Sequence, residues 1–258
     1  MAPRPARPVD GVAWVTGGSS GIGRFVVLEL VRRGWTVAVS ARRESELATL
    51  VAEAPSGRIL SYVLDVTDRA ATAAVISRIE SEAGPIALAF LNVGTHVPGA
   101  KPLIGEEARM TLDVNLGGTI NQLEPLLPIL QHRGRGQVAV VASVAGYGGL
   151  PGAAAYCASK AALIALCTSL KFTLDGDGVL MQVVCPGFVR TPLTDKNDFP
   201  MPFLMEADEA ARRICDGLET RRFEIAFPRR MVWLLKVLTK LPYSWYFWLV
   251  SRGTGGAR

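Results

Sequence analysis

The run Val12-Ala-Trp-Val-Thr16, the turn Gly17-Gly18-Ser19-Ser20-Gly21-Ile22-Gly23 and the apolar stretch opening at Phe25 follow one another without a break. They read as a strand, a glycine turn and a helix stopped by Arg32-Arg33-Gly34. That succession aims backbone N–H groups and the positive end of a helix at one point, the geometry that holds a phosphate. Gly17, Gly21 and Gly23 permit the tight turn and a close backbone approach that any Cβ would obstruct. A glycine-rich loop alone is a weak signal, but flanked by a strand and a helix it predicts a dinucleotide site.

The remainder of the chain keeps the same alternation. Further strands are predicted at 36–40, 58–64, 86–91, 137–142 and 180–185, with helices over 44–54, from a Thr67 or Asp68 cap to 83, over 106–130, and onward from Tyr156. Six strands alternating with helices, without repeat or linker, predict a single α/β domain: one doubly wound parallel sheet with helices on both faces. Its bounds are taken as 10–228, preceded by a loose, proline-rich arm at 1–9 and followed by a distinctive segment at 229–258. Two local features stand out inside this pattern. Asn115 and Gly117-Gly118 fall within the long predicted helix, where each glycine costs up to about 1 kcal/mol, so a kink or a functional reason is predicted there. Ser143 closes the fifth strand, on the carboxyl edge where open α/β sheets bind ligands.

The second strand ends in Ala41-Arg42-Arg43, and no acid occurs until Glu44. Dinucleotide folds that use NAD tend to carry a carboxylate here for the ribose hydroxyls, whereas arginine suits a 2′-phosphate, so NADP(H) is favoured over NAD(H). The other reading is that both arginines only finish the strand and Glu44 swings in. Farther on, Tyr156-Cys-Ala-Ser-Lys160 places a phenol and an ammonium one helical turn apart on a shared face. A lone tyrosine, with a pKa near 10, is a poor proton donor or acceptor at pH 7; a neighbouring cation favours the phenolate, at about 1.4 kcal/mol per pKa unit.

Composition excludes several classes. A chain that is 49% apolar and 20% charged is neither disordered nor fibrous. Its net charge of +5 comes from scattered arginines without a basic motif interleaved with aromatics, so no nucleic-acid partner is expected. Cys157, Cys167, Cys185 and Cys215 lack CxxC spacing and read as free thiols of a reducing compartment, which with no signal peptide in the first residues suggests the cytoplasm. No His, Cys, Asp and Glu cluster has metal-ligand spacing, and no metal is expected. His96, just past Asn92-Val93-Gly94, reads as a loop or surface histidine, with a position facing the substrate as the alternative.

Thr16-Gly17-x-x-x-Gly21-x-Gly23, Asn92-x-Gly94, Asn115, Ser143, Tyr156-x-x-x-Lys160 and Pro186-Gly187 stand in the order and approximate spacing of the short-chain dehydrogenase/reductase family, which the chain resembles over about residues 10–195. The resemblance implies a Rossmann-like fold and a role for each matched position. Tyr156 would be the general acid in carbonyl reduction and the base in alcohol oxidation; Lys160 would hold the nicotinamide ribose and lower the Tyr156 pKa. Ser143 would hydrogen-bond the substrate oxygen, and Asn115 would support a proton-relay water. Cofactor contacts are implied for Thr16, Gly17, Ser19, Ser20, Gly21, Ile22 and Gly23, for Arg42 and Arg43, for Asp65 and Val66 at the adenine, for Asn92 and Gly94, and for Pro186, Gly187, Val189 and Thr191 near the nicotinamide. The sequence departs from the family at Leu91, where an asparagine is usual, at Val93, and at Ser20, where many NADP-preferring members carry a basic residue. Cofactor preference therefore rests on Arg42, helped by Arg43.

Two stretches address the substrate. Residues 188–205 carry Leu193, Phe199, Met201, Phe203 and Leu204 between prolines and resemble a mobile substrate lid; an apolar lid suits a lipophilic carbonyl or alcohol, while closing the core or a subunit interface is the competing reading. In the terminal segment Arg229, Trp233, Lys236 and Lys240 would share one helical stripe, with Trp245 and Trp248 beyond Pro242. Two lysines and a proline argue against a spanning helix. Peripheral membrane contact through 229–250 and packing against a subunit or the lid both stay open. The sequence thus predicts an NADP(H)-dependent oxidoreductase of a carbonyl/alcohol pair, by family habit a homo-oligomer. The alternatives are a non-catalytic dinucleotide-binding sensor or scaffold, and an isomerase or dehydratase that retains its cofactor.

Overall fold

In the computed structural model, which describes residues 2–55, 57–97, 104–196 and 201–253, seven strands form one sheet in the order β3-β2-β1-β4-β5-β6-β7, with every neighbouring pair parallel. The strands are β1 (Val12–Thr16), β2 (Val37–Ala41), β3 (Ile59–Val63), β4 (Ile86–Leu91), β5 (Gly136–Val141), β6 (Val179–Pro186) and β7 (Glu224–Phe227). Parallel strands covered on both faces must be apolar throughout, and β1, β2, β4 and β6 are buried at every position. Polar groups on these strands are paired: the buried Trp14 Nε1 donates to Ser40 Oγ at 3.0 Å, and Gln182 Nε2 to Arg222 O at 2.8 Å.

Each face of the sheet has its own core. The helices α3 (Arg69–Glu82), α5 (Gly118–Arg133) and α6 (Ala154–Leu174) bring Ile76, Ile79, Leu126, Leu130 and Leu163 against Trp14, Ile86 and Val138. On the opposite face α1 (Gly21–Arg32), α2 (Glu44–Glu53) and α7 (Ala207–Leu218) bring Val26, Leu30, Leu47, Leu50 and Ile214 against Val15, Val39 and Phe90. The chain winds outward from β1 in one direction to β3, then returns to β4 and winds the other way. The carboxyl ends of β1 and β4, where the winding reverses, are the switch point at which open α/β sheets form their ligand crevice.

The doubly wound parallel sheet is as predicted, and five details differ. Strand β7, starting with a charged residue, extends the predicted six to seven. The predicted helix over 106–130 is interrupted: α4 (Glu106–Leu112) gives way to a single π-helical turn, Asp113–Gly117, before α5 begins at Gly118. The break falls on Asn115 and the two glycines, and a Cβ on Gly118 would lie 2.6 Å from Val66 Cγ2, so only glycine lets α5 pass there. The terminal segment is not one helix but two, α8 (Arg229–Leu238) and α9 (Tyr243–Gly253), with Lys240 and Pro242 in the link; the stripe through Lys240 is therefore not continuous. Residues 188–205 are anchored where described, since Met205 N–H donates to Phe188 O at 3.0 Å and Arg190 N–H to Met205 O at 2.8 Å. Finally, the arm expected to be loose is tied to the domain: Arg4 pairs with Asp10 at 2.8 Å and Ala6 N–H donates to Gln137 Oε1 at 2.8 Å. Cys157, Cys167, Cys185 and Cys215 are buried, unpaired thiols.

A buried carboxylate joins α1 to α7. Glu29, 8% exposed, accepts from Arg32 and Arg33, and Arg33 reaches Asp216 and Glu219 of the α7 end. The Arg32 hydrogen bond, with those of Arg33, holds the Glu29 carboxyl at about 2 against its ordinary 4.5. A depressed carboxyl adds stability that is complete above the unfolded value and disappears as pH falls through the folded one. Glu29→Gln should therefore destabilise the protein by about 2 kcal/mol at neutral pH. Urea denaturation at a series of pH values should show that deficit shrinking between pH 4.5 and about 2.

Candidate active site

The glycine turn sits at the mouth of the crevice. Gly17 and Gly21 have φ of 65° and 53°, in the left-handed region that favours glycine. Gly23 is required sterically, because a Cβ there would lie 2.3 Å from Gly17 O and 2.6 Å from Asn92 Nδ2. Asn92 stitches β4 to the turn: its N–H donates to Thr16 Oγ1 and its side-chain amide to Gly17 O, both at 3.2 Å. Ser20 occupies the N-cap of α1 and makes no capping bond with its side chain, so the amides of the first turn are left for another acceptor. Ile22 packs on the α1 core. Thr191, held by Thr194, stands over the turn, its Cγ2 3.2 Å from where a Gly21 Cβ would be.

Cationic and hydroxyl groups flank this cradle. Arg43 Nη2 reaches Ser19 Oγ at 3.4 Å and Ser20 Oγ at 3.2 Å while pairing with Glu46 at 2.6 Å. Arg42 is three-quarters exposed at the end of β2, 3.9 Å from Asp65 Oδ2. Asp65 accepts from the Thr67 N–H and hydroxyl, bonds that hold its carboxyl below the usual range. Val66 is buried beneath Gly118, with its carbonyl accepting from Asn121 Nδ2 at 2.9 Å. An uncapped helix end, a turn with no room for side chains, and serine hydroxyls beside guanidinium groups form a donor set that fits a dinucleotide.

Across the crevice lies a second cluster. Ser143 follows β5 and is 8% exposed; its Oγ accepts from Ala145 N–H at 3.1 Å and donates to Pro186 O at 3.4 Å. Gly187 N–H donates to Phe227 O at 2.7 Å, and Val189 is buried. One turn along α6, Lys160 is buried with Nζ 2.8 Å from Val141 O and 5.7 Å from the Tyr156 ring centroid. Gly94 backs onto the same point, since a Cβ there would be 3.3 Å from Lys160 Nζ and 3.5 Å from Asn115 Oδ1. The π-helical turn delivers Asn115 fully buried, with Oδ1 accepting from Thr95 N–H at 2.7 Å and Nδ2 donating to Thr95 O at 3.1 Å and Ser159 Oγ at 3.0 Å. The four residues singled out in the sequence, Asn115, Ser143, Tyr156 and Lys160, thus gather at one edge.

Their electrostatics differ from expectation in one respect. Lys160 does not bring the Tyr156 hydroxyl below its ordinary range; burial pushes that hydroxyl up, opposed by a hydrogen bond from Ser143. Burial also pulls Lys160 down to about 8. Desolvation disfavours the charged form of both groups and is the largest cause of each shift.

Three further residues belong to the cluster. Ser159 and Thr95 form the socket of Asn115, 44 and 20 residues away in the chain, a pairing no local spacing signals. His96, in the loop after β4 as expected, sets its ring 4.7 Å from that of Tyr156 at 41°. At the lid, Met205 is buried and Phe203 is half-exposed with φ of 60°, rare for a bulky side chain; Phe199 and Pro200 lie outside the described residues.

The model of the short chain dehydrogenase family matches residues 11–200. An uncharacterized oxidoreductase of Myxococcus xanthus is 40% identical over 232 residues, 89% of this chain and 90% of that protein. A 3-oxoacyl-[acyl-carrier-protein] reductase of Thermotoga maritima is 32% identical over 188 residues, 72% of this chain and 76% of the other. The crystal structure of a short-chain dehydrogenase from Streptomyces avermitilis shares the fold with a TM-score of 0.80 at 29% identity, covering 95% of this chain and 99% of that one. Other solved neighbours of the same fold hold NAD or NADP. The chain belongs to the short-chain dehydrogenase family and is an oxidoreductase of the CH–OH group that works with NAD or NADP.

Proposed function

We propose that the protein is an NADP(H)-dependent reductase or dehydrogenase of a lipophilic carbonyl/alcohol pair in which Tyr156 moves the proton. The observation that carries this reading is the convergence of Ser143, Tyr156 and Lys160 on one edge of the crevice, across from the glycine turn. When bound, the dinucleotide supplies or accepts the hydride. In reduction the carbonyl oxygen gains negative charge as the hydride arrives, and stabilisation is worth most where that charge develops. The Ser143 hydroxyl, which donates to Pro186 O in the resting site, turns to donate to that oxygen, and Tyr156 Oη gives up its proton to it. Lys160 holds the ribose hydroxyls and stabilises the phenolate left on Tyr156. Asn115, fixed by Thr95 and Ser159, keeps the inner end of the crevice polar for the water that returns the proton.

NADP(H) is preferred in this reading because two guanidinium groups and two serine hydroxyls stand together at the end of β2, with Asp65 already engaged by Thr67. The apolar residues of 188–205, among them Leu193, Met201 and Phe203, support a lipophilic substrate, as does the Thermotoga maritima reductase, whose substrate carries an acyl chain. A homo-oligomeric state is part of the same reading.

Three measurements test it. Absorbance-monitored NADPH oxidation over ketones graded from polar to lipophilic should give turnover that climbs with lipophilicity, and Tyr156→Phe should lose about a hundredfold or more. No turnover on any ketone would favour a binding module or an isomerase. Arg42→Ala combined with Arg43→Ala should raise KM for NADPH by about ten- to a hundredfold, the value of one or two charge-assisted hydrogen bonds, and leave KM for NADH nearly unchanged. An equal effect on both cofactors would remove the 2′-phosphate assignment. The third concerns Lys160, whose depressed value is a cost to folding that is complete below about 8 and vanishes above its ordinary 10.5. Lys160→Met should therefore show its greatest stability relative to wild type near neutral pH, an advantage that declines in thermal melts as pH rises through that window.

A further inference from the structure

The two terminal helices present an unusual surface. Trp233 is 73% exposed, Tyr243 79%, Trp245 64%, Phe247 61% and Trp248 55%, and Leu234 and Val237 stand exposed beside Trp233. Isolated exposed apolar side chains are ordinary; five aromatic rings within 16 residues are an interaction surface. The other side of each helix is occupied by the domain. Met231 and Val232 of α8 are buried, Met231 Sδ approaching Gly187, and in α9 Tyr246 is buried with its hydroxyl donating to Gly149 O at 2.6 Å. The exposed rings are thus held outward by a fixed frame.

Charge identifies the occupant. Residues 229–253 contain five cations, Arg229, Arg230, Lys236, Lys240 and Arg252, and no aspartate or glutamate. Lys236 is balanced by Glu224 of β7. Arg252 lies 4.4 Å over the Trp248 ring, a basic group next to an apolar one. A second copy of the chain docked face to face would bring these cations against their own counterparts, without a carboxylate in the segment to pair with them. Lipid phosphates supply the missing charge, and tryptophan and tyrosine favour the depth at which phosphates and acyl chains meet. Helices of 10 and 11 residues are about half the roughly 20 that crossing a bilayer needs, so the segment lies along the surface.

We infer that the exposed face of α8 and α9 is an in-plane docking surface for an anionic lipid bilayer. The frame that holds it also borders the crevice. Lys236 Nζ lies 5.0 Å over the Tyr147 ring, Tyr147 Oη donates to Glu224 Oε1 at 2.8 Å, and Tyr246 fastens the loop between Ser143 and Tyr156. A docked bilayer therefore lies next to the side of the crevice lined by that loop. Docking follows from the terminal helices alone; only its use, the entry of a lipophilic substrate from the lipid, rests on the function proposed above.

Co-sedimentation of the full chain with phosphatidylcholine vesicles, with and without phosphatidylglycerol, tests this without reference to turnover. Binding should require phosphatidylglycerol and be reversed by salt. It should fall about fivefold for each cation removed in Arg229→Gln and Arg230→Gln, and further in Trp245→Glu with Trp248→Glu. Sedimentation velocity and circular dichroism on the same variants report assembly and folding, and the salt titration of the unaltered protein stands even where a variant does not fold. Equal binding to neutral vesicles, binding to neither, or a dimer that both sets of variants split would each overturn the inference, the last in favour of a second copy as the occupant.

Discussion

The carboxyl edge of the sheet depends on Asn92. Where the winding of the sheet reverses, β1 and β4 lie side by side with no helix crossing between their carboxyl ends, and backbone groups there need partners that a helix does not bring. Asn92 provides them, with its N–H on Thr16 Oγ1 and its side-chain amide on Gly17 O. The same contact fixes the height at which α1 begins, because Gly23 clears Gly17 O only for lack of a Cβ. One amide and one missing methyl group together set the distance between the sheet and the first turn of α1. Thr191, leaning over Gly21 from the far side, closes the same space.

The opposite wall is made of polar groups that have been buried and then satisfied. An unpaired buried donor or acceptor costs about 1–3 kcal/mol, so a cluster of this kind persists only when its members supply each other's bonds. Asn115 uses three, to both backbone groups of Thr95 and to Ser159; Lys160 uses Val141 O; Ser143 uses Ala145 N–H and Pro186 O. The π-helical turn at Asp113–Gly117 is part of that arrangement, displacing Asn115 from the register of a regular helix toward Thr95 and α6. The strain visible in the sequence at Asn115 and Gly117-Gly118 is thus local, and its compensation is tertiary.

That division explains how much could be read in advance. The buried parallel strands are legible because two covered faces force continuous apolar runs, so 86–91 coincides with β4, and the carboxyl edge follows from the alternation. Glycines and the Tyr156 to Lys160 spacing are legible because backbone conformation and helical period act within a few residues. Strand β7 is not, since it has four residues and opens on Glu224, whose carboxylate is taken up by Tyr147 and Lys236 from elsewhere. Nor is the company of Asn115, or the approach of His96 to Tyr156, which arise only when separate loops meet. The rise of the Tyr156 hydroxyl has the same origin: spacing reveals the cation at one turn's distance but not the burial that raises the hydroxyl.

The chain also divides its labour by position. The glycine turn, Asn92, Asn115, Ser143, Tyr156 and Lys160 all fall within the residues matched by the family model, 11–200. Within them the loop from Gly146 to Gly152 is held by short-range bonds such as Gly146 N–H to Ser143 O, and further restraint comes from beyond them. That loop holds four glycines in seven residues and would by itself sample many conformations. Tyr246 takes Gly149 O, Thr239 and Tyr246 together leave no room for a Cβ at Gly148, and the Glu224 and Lys236 pair grips Tyr147. The entropy of a glycine-rich wall between Ser143 and Tyr156 is thus reduced by β7 and the terminal helices, outside the residues the family model matches. A chain of this fold can keep Tyr156 fixed in this way while the shape of the wall beside it changes with the terminal helices alone.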